Sequence, residues 1–216
     1  MILQNHLGLK AIAPELLTNR SNMCIVHFMA RPKEFDQEEA LDAAVGVFRE
    51  HGFAATSAGM LTDAMKIGRQ SLYDTFGNKW KLYCLALQRY ATSEAKRHLA
   101  ALGGGATAFD GIRQLIERVV AEAHQPCLGI GSINEFGSSR EELARTAEAA
   151  GRTLRGAICA KIREAQRDGD VASQLDPEHA TGFLLANVAA IRISARGGTA
   201  TAELEALGQL ALRALR

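Results

Sequence analysis

Residues 68–83 read GRQSLYDTFGNKWKLY, with Arg69, Gln70, Ser71, Tyr73, Asp74 and Lys79 crowded together and Leu72, Phe76 and Leu82 set among them. The polar types suit contact with a duplex. Arginine can pair bidentately with guanine and glutamine with adenine, so Arg69 and Gln70, with Ser71 and Asp74 beside them, fit base edges. Tyr73 and Lys79 fit phosphate oxygens through a hydroxyl and an ammonium. The Thr56-Ser57 helix start adds free backbone N–H groups. The plainer reading of the same residues is an amphipathic helix with a wet face, part of a helical hairpin inside a larger bundle.

The elements that must position these residues are helix, tight turn, helix over 57–75. In that arrangement the second helix enters the major groove. Leu61, Ile67, Leu72 and Phe76 can pin the pair together and onto a preceding helix through Val45 and Phe48, leaving Arg69, Gln70, Ser71 and Asp74 outside. That preceding helix spans about 36–50, with Leu41, Ala44, Val45 and Phe48 at i, i+3, i+4 and i+7. Asp36 is its expected N-cap, Glu39 completes a capping box, and Gly52 stops it.

Beyond the pair the pattern stays helical. Helices are expected over about 79–101, 107–123, 141–167, 177–196 and 200–215, with Asp176-Pro177 marking one start. Ile112, Leu115, Ile116, Val119, Val120 and Ala123 form the cleanest apolar stripe. Residues 127–138 are punctuated by glycine and read as a helix-breaking segment. No stretch reads as a convincing strand, so the fold class is all-α with about nine helices.

The 216 residues are 47% apolar and 23% charged with a net charge of +1, the balance of a globular chain without a global field for nucleic acid. A local surplus exists. Over 51–83 the basic residues Lys66, Arg69, Lys79 and Lys81 outnumber Asp63 and Asp74, and Arg31 and Lys33 form a short basic arm ahead. Cys24, Cys84, Cys127 and Cys159 are scattered, which points to reduced thiols and a cytoplasmic location rather than a disulfide framework. No apolar run is long enough to span a bilayer. Residues 1–28 lack periodicity, and Met29 opens a natural-looking start, so 1–28 are expected to be an upstream start-codon extension or a floppy tail.

The stretch FDQEEALDAAVGVFREHGFAATSAGMLTDAMKIGRQSLYDTFGNKWKLY resembles the DNA-binding domain of TetR/AcrR-type transcriptional regulators, most specifically in SLYDTFGNKWKLY. The resemblance implies a helix-turn-helix domain over 29–78 and a helical effector-binding and dimerisation domain over 79–216. It also implies a homodimer on a near-palindromic double-stranded operator, released by a small ligand or stress signal. Four positions depart from the family pattern. Lys66 stands where glycine is preferred in the turn, and Gly68 where Ser or Asn caps the recognition helix. Thr62 replaces a small alanine, and Gly59 a DNA-facing arginine. These bear on affinity and operator contacts rather than on fold.

Other candidate sites are weaker. GIGS at 129–132 lacks the preceding strand and later glycine of a phosphate loop. His51, His98, His124 and His179 show no i, i+4 pairing or cysteine partners, and Cys24 with His27 lacks the four ligands of a structural zinc site, so no metal, cofactor or catalytic set is expected. The expected effector cavity is lined by Phe109, Cys127, Ile133, Phe136, Phe183 and Asn187. Some members of the resembled family sense electrophiles or oxidants through a cysteine in a similar segment, which makes Cys127 a candidate sensor. The two Ala-, Gly- and Leu-rich helices over about 177–215 are expected to form a two-fold dimer interface. An activator and a helical-bundle enzyme remain the alternatives.

Overall fold

The computed structural model describes residues 35–216. The expectations for residues 1–28, and for Arg31 and Lys33, fall outside them. Nine helices and no strand occur among the described residues.

The first, α1, spans Gln37–Ala55. Asp36 caps it, its carboxylate accepting from Glu38 N at 2.8 Å and Glu39 N at 3.3 Å. Gly52 interrupts it at φ 71, where the sequence places the stop, and a last helical turn follows. Helix α2, Ala58–Met65, begins at Ser57, whose Oγ accepts from Met60 N at 3.1 Å. Lys66 ends it in the left-handed region at φ 54, the one non-glycine residue there among the described residues. Helix α3, Arg69–Phe76, follows at once, with Gly68 as an N-cap that offers no side-chain hydrogen bond. Gly77 at φ 82 turns the chain and Asn78 caps α4, Lys79–Gly103. Then come α5 (Ala108–Ala121), α6 (Leu128–Phe136), α7 (Glu141–Arg167), α8 (Pro177–Arg196) and α9 (Thr201–Arg213).

Helix α6 corrects the sequence reading. The glycine-punctuated segment is a helix of nine residues, with Gly129 and Gly131 inside it. Leu128 and Ser132 are buried, and Phe136 packs with the apolar cluster, so one face of the helix is anchored at i, i+4 and i+8. Burying such a face offsets the roughly 1 kcal/mol each interior glycine costs.

The buried apolar residues form two clusters. One joins Phe48 of α1, Leu61 of α2, Leu72 and Phe76 of α3, and Leu82, Tyr83 and Tyr90 of α4, with Leu128 and Leu143 against them. The other joins Leu102 to Ile112, Leu115, Ile116 and Val119 of α5, Ile158 and Ile162 of α7, Leu184 and Ile191 of α8, and Leu204 of α9. Helix α4 runs through both. Between Tyr90 and Leu102, its buried positions are Glu94 and His98.

Candidate nucleic-acid interface and effector cavity

Helix α3 is held from beneath and free above. Leu72 is fully buried and Phe76 nearly so, packed with Leu61 and Met65 of α2 and Phe48 of α1. Burial of a leucine or phenylalanine side chain contributes about 1.5–3 kcal/mol, so two such anchors can fix an eight-residue helix that has little stability alone. Ile67, in the turn, packs partly buried against the same cluster. On the opposite side Arg69, Gln70, Tyr73 and Asp74 are exposed and Ser71 is half-buried. Gln70 Nε2 donates to Asp74 Oδ1 at 2.8 Å, one turn on, so Asp74 orients the amide on the outer face.

Thr56 and Lys79 are placed differently from the phosphate-facing expectation. Thr56 is buried and its hydroxyl donates to the Gly52 carbonyl, closing the last turn of α1. Lys79 Nζ donates to the Thr56 carbonyl at 2.6 Å and lies 4.3 Å from the centre of the Phe53 ring. The ammonium thereby braces the start of α4 against the end of α1. Ser57 remains exposed as the cap of α2. The acids near α1 are engaged by α4. Arg89 forms ion pairs with both Glu38 and Asp42, and its hydrogen bond to Asp42 holds that carboxyl below the usual range.

A cavity of about 300 Å³ lies between the two apolar clusters. Leu87, Tyr90, Glu94 and His98 of α4 form one wall, Cys127, Ile130 and Ile133 another, and Leu154 of α7 with Leu185, Val188 and Arg192 of α8 the rest. Of the residues expected to line it, Cys127 and Ile133 do. Phe109 sits in the second apolar cluster, with the Arg216 guanidinium 4.4 Å from its ring centre. Phe136 belongs to an aromatic cluster with Phe53, Trp80 and Tyr83, at centroid separations of 5.7, 5.4 and 5.7 Å. Phe183 faces outward, because the inward side of α8 is taken by Leu184, Ile191 and Ala195. Asn187 satisfies its amide on the Phe183 carbonyl at 2.9 Å, one turn back.

The polar end of the cavity was not read from the sequence. Glu94 accepts from Arg118 on one oxygen, and from Tyr90 Oη at 3.0 Å and Arg97 Nη2 at 2.9 Å on the other. Burial opposes its charge, but Arg118, Arg192 and His98 outweigh burial and hold the carboxyl at about 2. Arg118 also pairs with Glu122 at 2.8 Å and meets His98 Nδ1 at 2.8 Å. A guanidinium has donors only, so Nδ1 is the acceptor and the neutral ring carries its proton on Nε2. Burial, then the surrounding guanidiniums against Glu94, takes His98 down to about 4. Burial and the neighbouring Cys127 and Glu94 raise the Tyr90 phenol. A signal for this cluster existed. Glu94 and His98 continue the row of Tyr83, Leu87 and Tyr90, spaced by three or four residues, that ends at Leu102, so charged types occupied an apolar stripe.

Two anchored helices with an exposed polar second member, joined to a helical body with a cavity, form a helix-turn-helix arrangement. Residues 40–83 match the model of the bacterial regulatory proteins of the tetR family. The chain is 30% identical over 206 residues to the HTH-type transcriptional repressor ComR of Escherichia coli K12, covering 91% of this chain and 95% of that one. It is 40% identical over 65 residues to the repressor BdcR of the same organism, covering 30% of this chain and 33% of that one. Among solved structures, a cysteine mutant of the TetR family regulator CifR, in complex with 26 bp operator DNA, superimposes with a TM-score of 0.72 at 29% identity, covering 86% of this chain and all of that one. The chain belongs to the TetR family and is a transcriptional regulator with an N-terminal helix-turn-helix.

Proposed function

We propose that the protein is a dimeric repressor whose two α3 helices read successive major grooves of a near-palindromic operator, and which an effector in the cavity releases. The observation that carries this reading is the outer face of α3, where Arg69, Gln70 and Tyr73 stand exposed above the buried Leu72 and Phe76. Arg69 and Gln70 address base edges, and Tyr73 and Ser57 address phosphates. The repressors ComR and BdcR among the relatives favour repression over activation. An enzyme is the weaker reading, since family membership places the chain among regulators.

A stripe on α8 supports the dimer. Phe183, Ala186, Ala190 and Ile193 are exposed at heptad spacing, and Ala202, Ala206 and Leu210 are exposed on α9 beside it. Phe183 is 42%, Ile193 52% and Leu210 55% accessible, an apolar face that a second copy would cover. The proposed division is a reading head up to about residue 78 and an effector and dimer body beyond it. Helix α6 couples the two, with Ile130 and Ile133 on the cavity and Leu128, Glu135 and Phe136 against the head. An effector acts by binding the two head spacings with different affinity.

A mobility-shift titration with the DNA upstream of the protein's own coding sequence tests the reading. A specific, salt-dependent shift is expected, its log–log slope growing by about 0.9 per phosphate neutralised. No preference for that DNA over random duplex, at any salt, speaks against it.

One observation favours a second mode of release. Cys127 lines the cavity, so an electrophile entering it meets the thiol. Burial and Glu142 push Cys84 up to about 11, and burial and Glu178 raise Cys159, which keeps both as thiols. If Cys127→Ser is released by oxidant and aldehyde as readily as the parent, this mode is excluded.

A further inference from the structure

Among the described residues, Tyr83 Oη and Arg192 Nη2 are buried side-chain atoms without a hydrogen-bond partner, and of the two only Arg192 carries a charge. It is 4% accessible, and its Nη2 is buried without a hydrogen-bond partner among the described residues. Its nearest carboxylate oxygen, Glu94 Oε1, is 3.6 Å away, an ion-pair distance beyond hydrogen-bond reach. Glu94 does not need it, because Arg118, Arg97 and Tyr90 already occupy both oxygens. A buried guanidinium nitrogen left without an acceptor is costly, and a bound ligand is one source of that acceptor. Arg192 is one of the residues that form the cavity wall.

Charge gives the same answer. Three guanidiniums (Arg97, Arg118 and Arg192) share two carboxylates (Glu94 and Glu122). His98 adds no charge as the neutral tautomer that accepts from Arg118. The cluster therefore carries one net positive charge, shared with Arg97, whose side chain is 43% exposed. Away from it the wall is apolar: Leu87, Ile130, Leu154, Leu185 and Val188. The volume of about 300 Å³ is at the lower end of the range for ligand pockets.

We infer that the effector is a small amphipathic organic monoanion, a carboxylate on a compact apolar body, whose head takes the free donors of Arg192 and whose body fills the apolar end. The inference rests on the reading of the cavity as the effector site and specifies the chemical class. The Arg192 fork suits a carboxylate better than a point acceptor, because two parallel N–H groups can meet two oxygens. Glu94 beside it disfavours a second negative charge on the ligand, since it stays ionised.

The test uses the purified full chain without DNA. Calorimetric titrations at pH 7.5 and constant ionic strength compare benzoate and hexanoate with benzamide and hexanamide, and with benzylamine. At least one anion is expected to bind tenfold or more tightly than its amide, and benzylamine more weakly than either. Arg192→Met should lose that preference and Arg192→Lys recover part of it. Amides or the amine binding as well as the anions, or no anion binding at millimolar concentration, overturns the inference. So does an Arg192→Met protein that still prefers anions. If Arg192→Met fails to fold by circular dichroism, the wild-type comparison decides alone. A chain that binds the anion but no DNA removes the regulator reading and leaves this one; the converse removes this one only.

Discussion

The Glu135 carboxylate on α6 accepts the backbone N–H of Phe53 on both of its oxygens, at 2.9 and 3.1 Å, and that of Ala54 at 3.1 Å. Gly52 has broken α1 just before, so these N–H groups begin a new turn without intrahelical partners, and Glu135 serves as their cap from another helix. Arg49 Nε adds a bond to the Pro126 carbonyl at 2.9 Å, immediately before α6. The helix that walls the cavity is thus tied at both ends to α1.

Glu135→Ala should therefore lower stability by about 1–2 kcal/mol, the cost of charge-assisted bonds at a partly exposed site. It should also weaken the effect of any effector on DNA affinity. Urea unfolding and operator titration with and without effector check the two parts. Unchanged stability together with unchanged release would show that the tie does not connect cavity and head. Gly52→Ala should be worse still, because its Cβ would lie 1.9 Å from Glu135 Oε1 and φ is 71 there.

Lys66 holds φ 54 and ψ 39 in the turn between α2 and α3. A left-handed conformation costs a residue with a Cβ about 1–2 kcal/mol, and glycine escapes it. Lys66→Gly is expected to raise stability by about 1 kcal/mol in chemical denaturation, after the entropy that glycine loses on folding. A destabilised variant would mean the lysine side chain contributes more than the turn geometry costs.

His98 makes stability depend on pH. The folded ring titrates at about 4 against 6.5 in an unfolded chain, for burial above all, with Arg118, Arg192 and Arg97 adding to it and Glu94 opposing. Between those values the unfolded chain binds a proton that the folded one does not, so stability falls as pH drops, by about 1 kcal/mol per pH unit at most. Glu94, held at about 2 against 4.5, extends the loss at lower pH. Unfolding midpoints in urea at pH 7.5, 6.0 and 5.0 should decline accordingly. His98→Gln, which keeps an acceptor for Arg118, should flatten the decline between pH 6.5 and 4.5. An equal slope in the variant would assign it to other groups.

The apolar stripe on α8 and α9 predicts its own disruption. Phe183→Glu with Ile193→Glu places charges on the face that a second copy would cover, and should give a monomer by light scattering at micromolar concentration. Operator affinity should fall at least tenfold, because one head cannot span two half-sites about 34 Å apart. A wild-type chain that is already monomeric at that concentration would defeat the prediction.

The reading head was legible because its signals are local. Leu72 and Phe76 stand at i, i+4 among the polar residues of α3, and Asp36, Ser57 and Asn78 cap helices that begin beside them. Positive φ at Lys66 was implied only by the resemblance, in which that turn position prefers glycine. Helix α6 was misread because its glycines are locally unfavourable, and the burial of Leu128 and Phe136 that compensates is a tertiary effect. The cavity was half legible. Cys127 and Ile133 lie in the short segment between Pro126 and Gly137, but Phe109, Phe136 and Phe183 are apolar types that fit a core, an aromatic cluster or an outer stripe equally well. The cluster of Glu94, Arg118 and Arg192 joins residues from three helices, and only the charged interruptions of apolar stripes announced it.

Selection of bound duplexes from a randomised pool, run in parallel on the wild type and Arg69→Ala, tests the central claim that the exposed face of α3 reads base edges. The wild type should enrich an inverted repeat. Arg69→Ala should bind it about tenfold more weakly, with preference relaxed at one symmetric pair of positions, as the loss of a bidentate contact worth about 1–3 kcal/mol requires. Enrichment of the same repeat by both proteins at equal affinity, or of none by the wild type, would contradict the account.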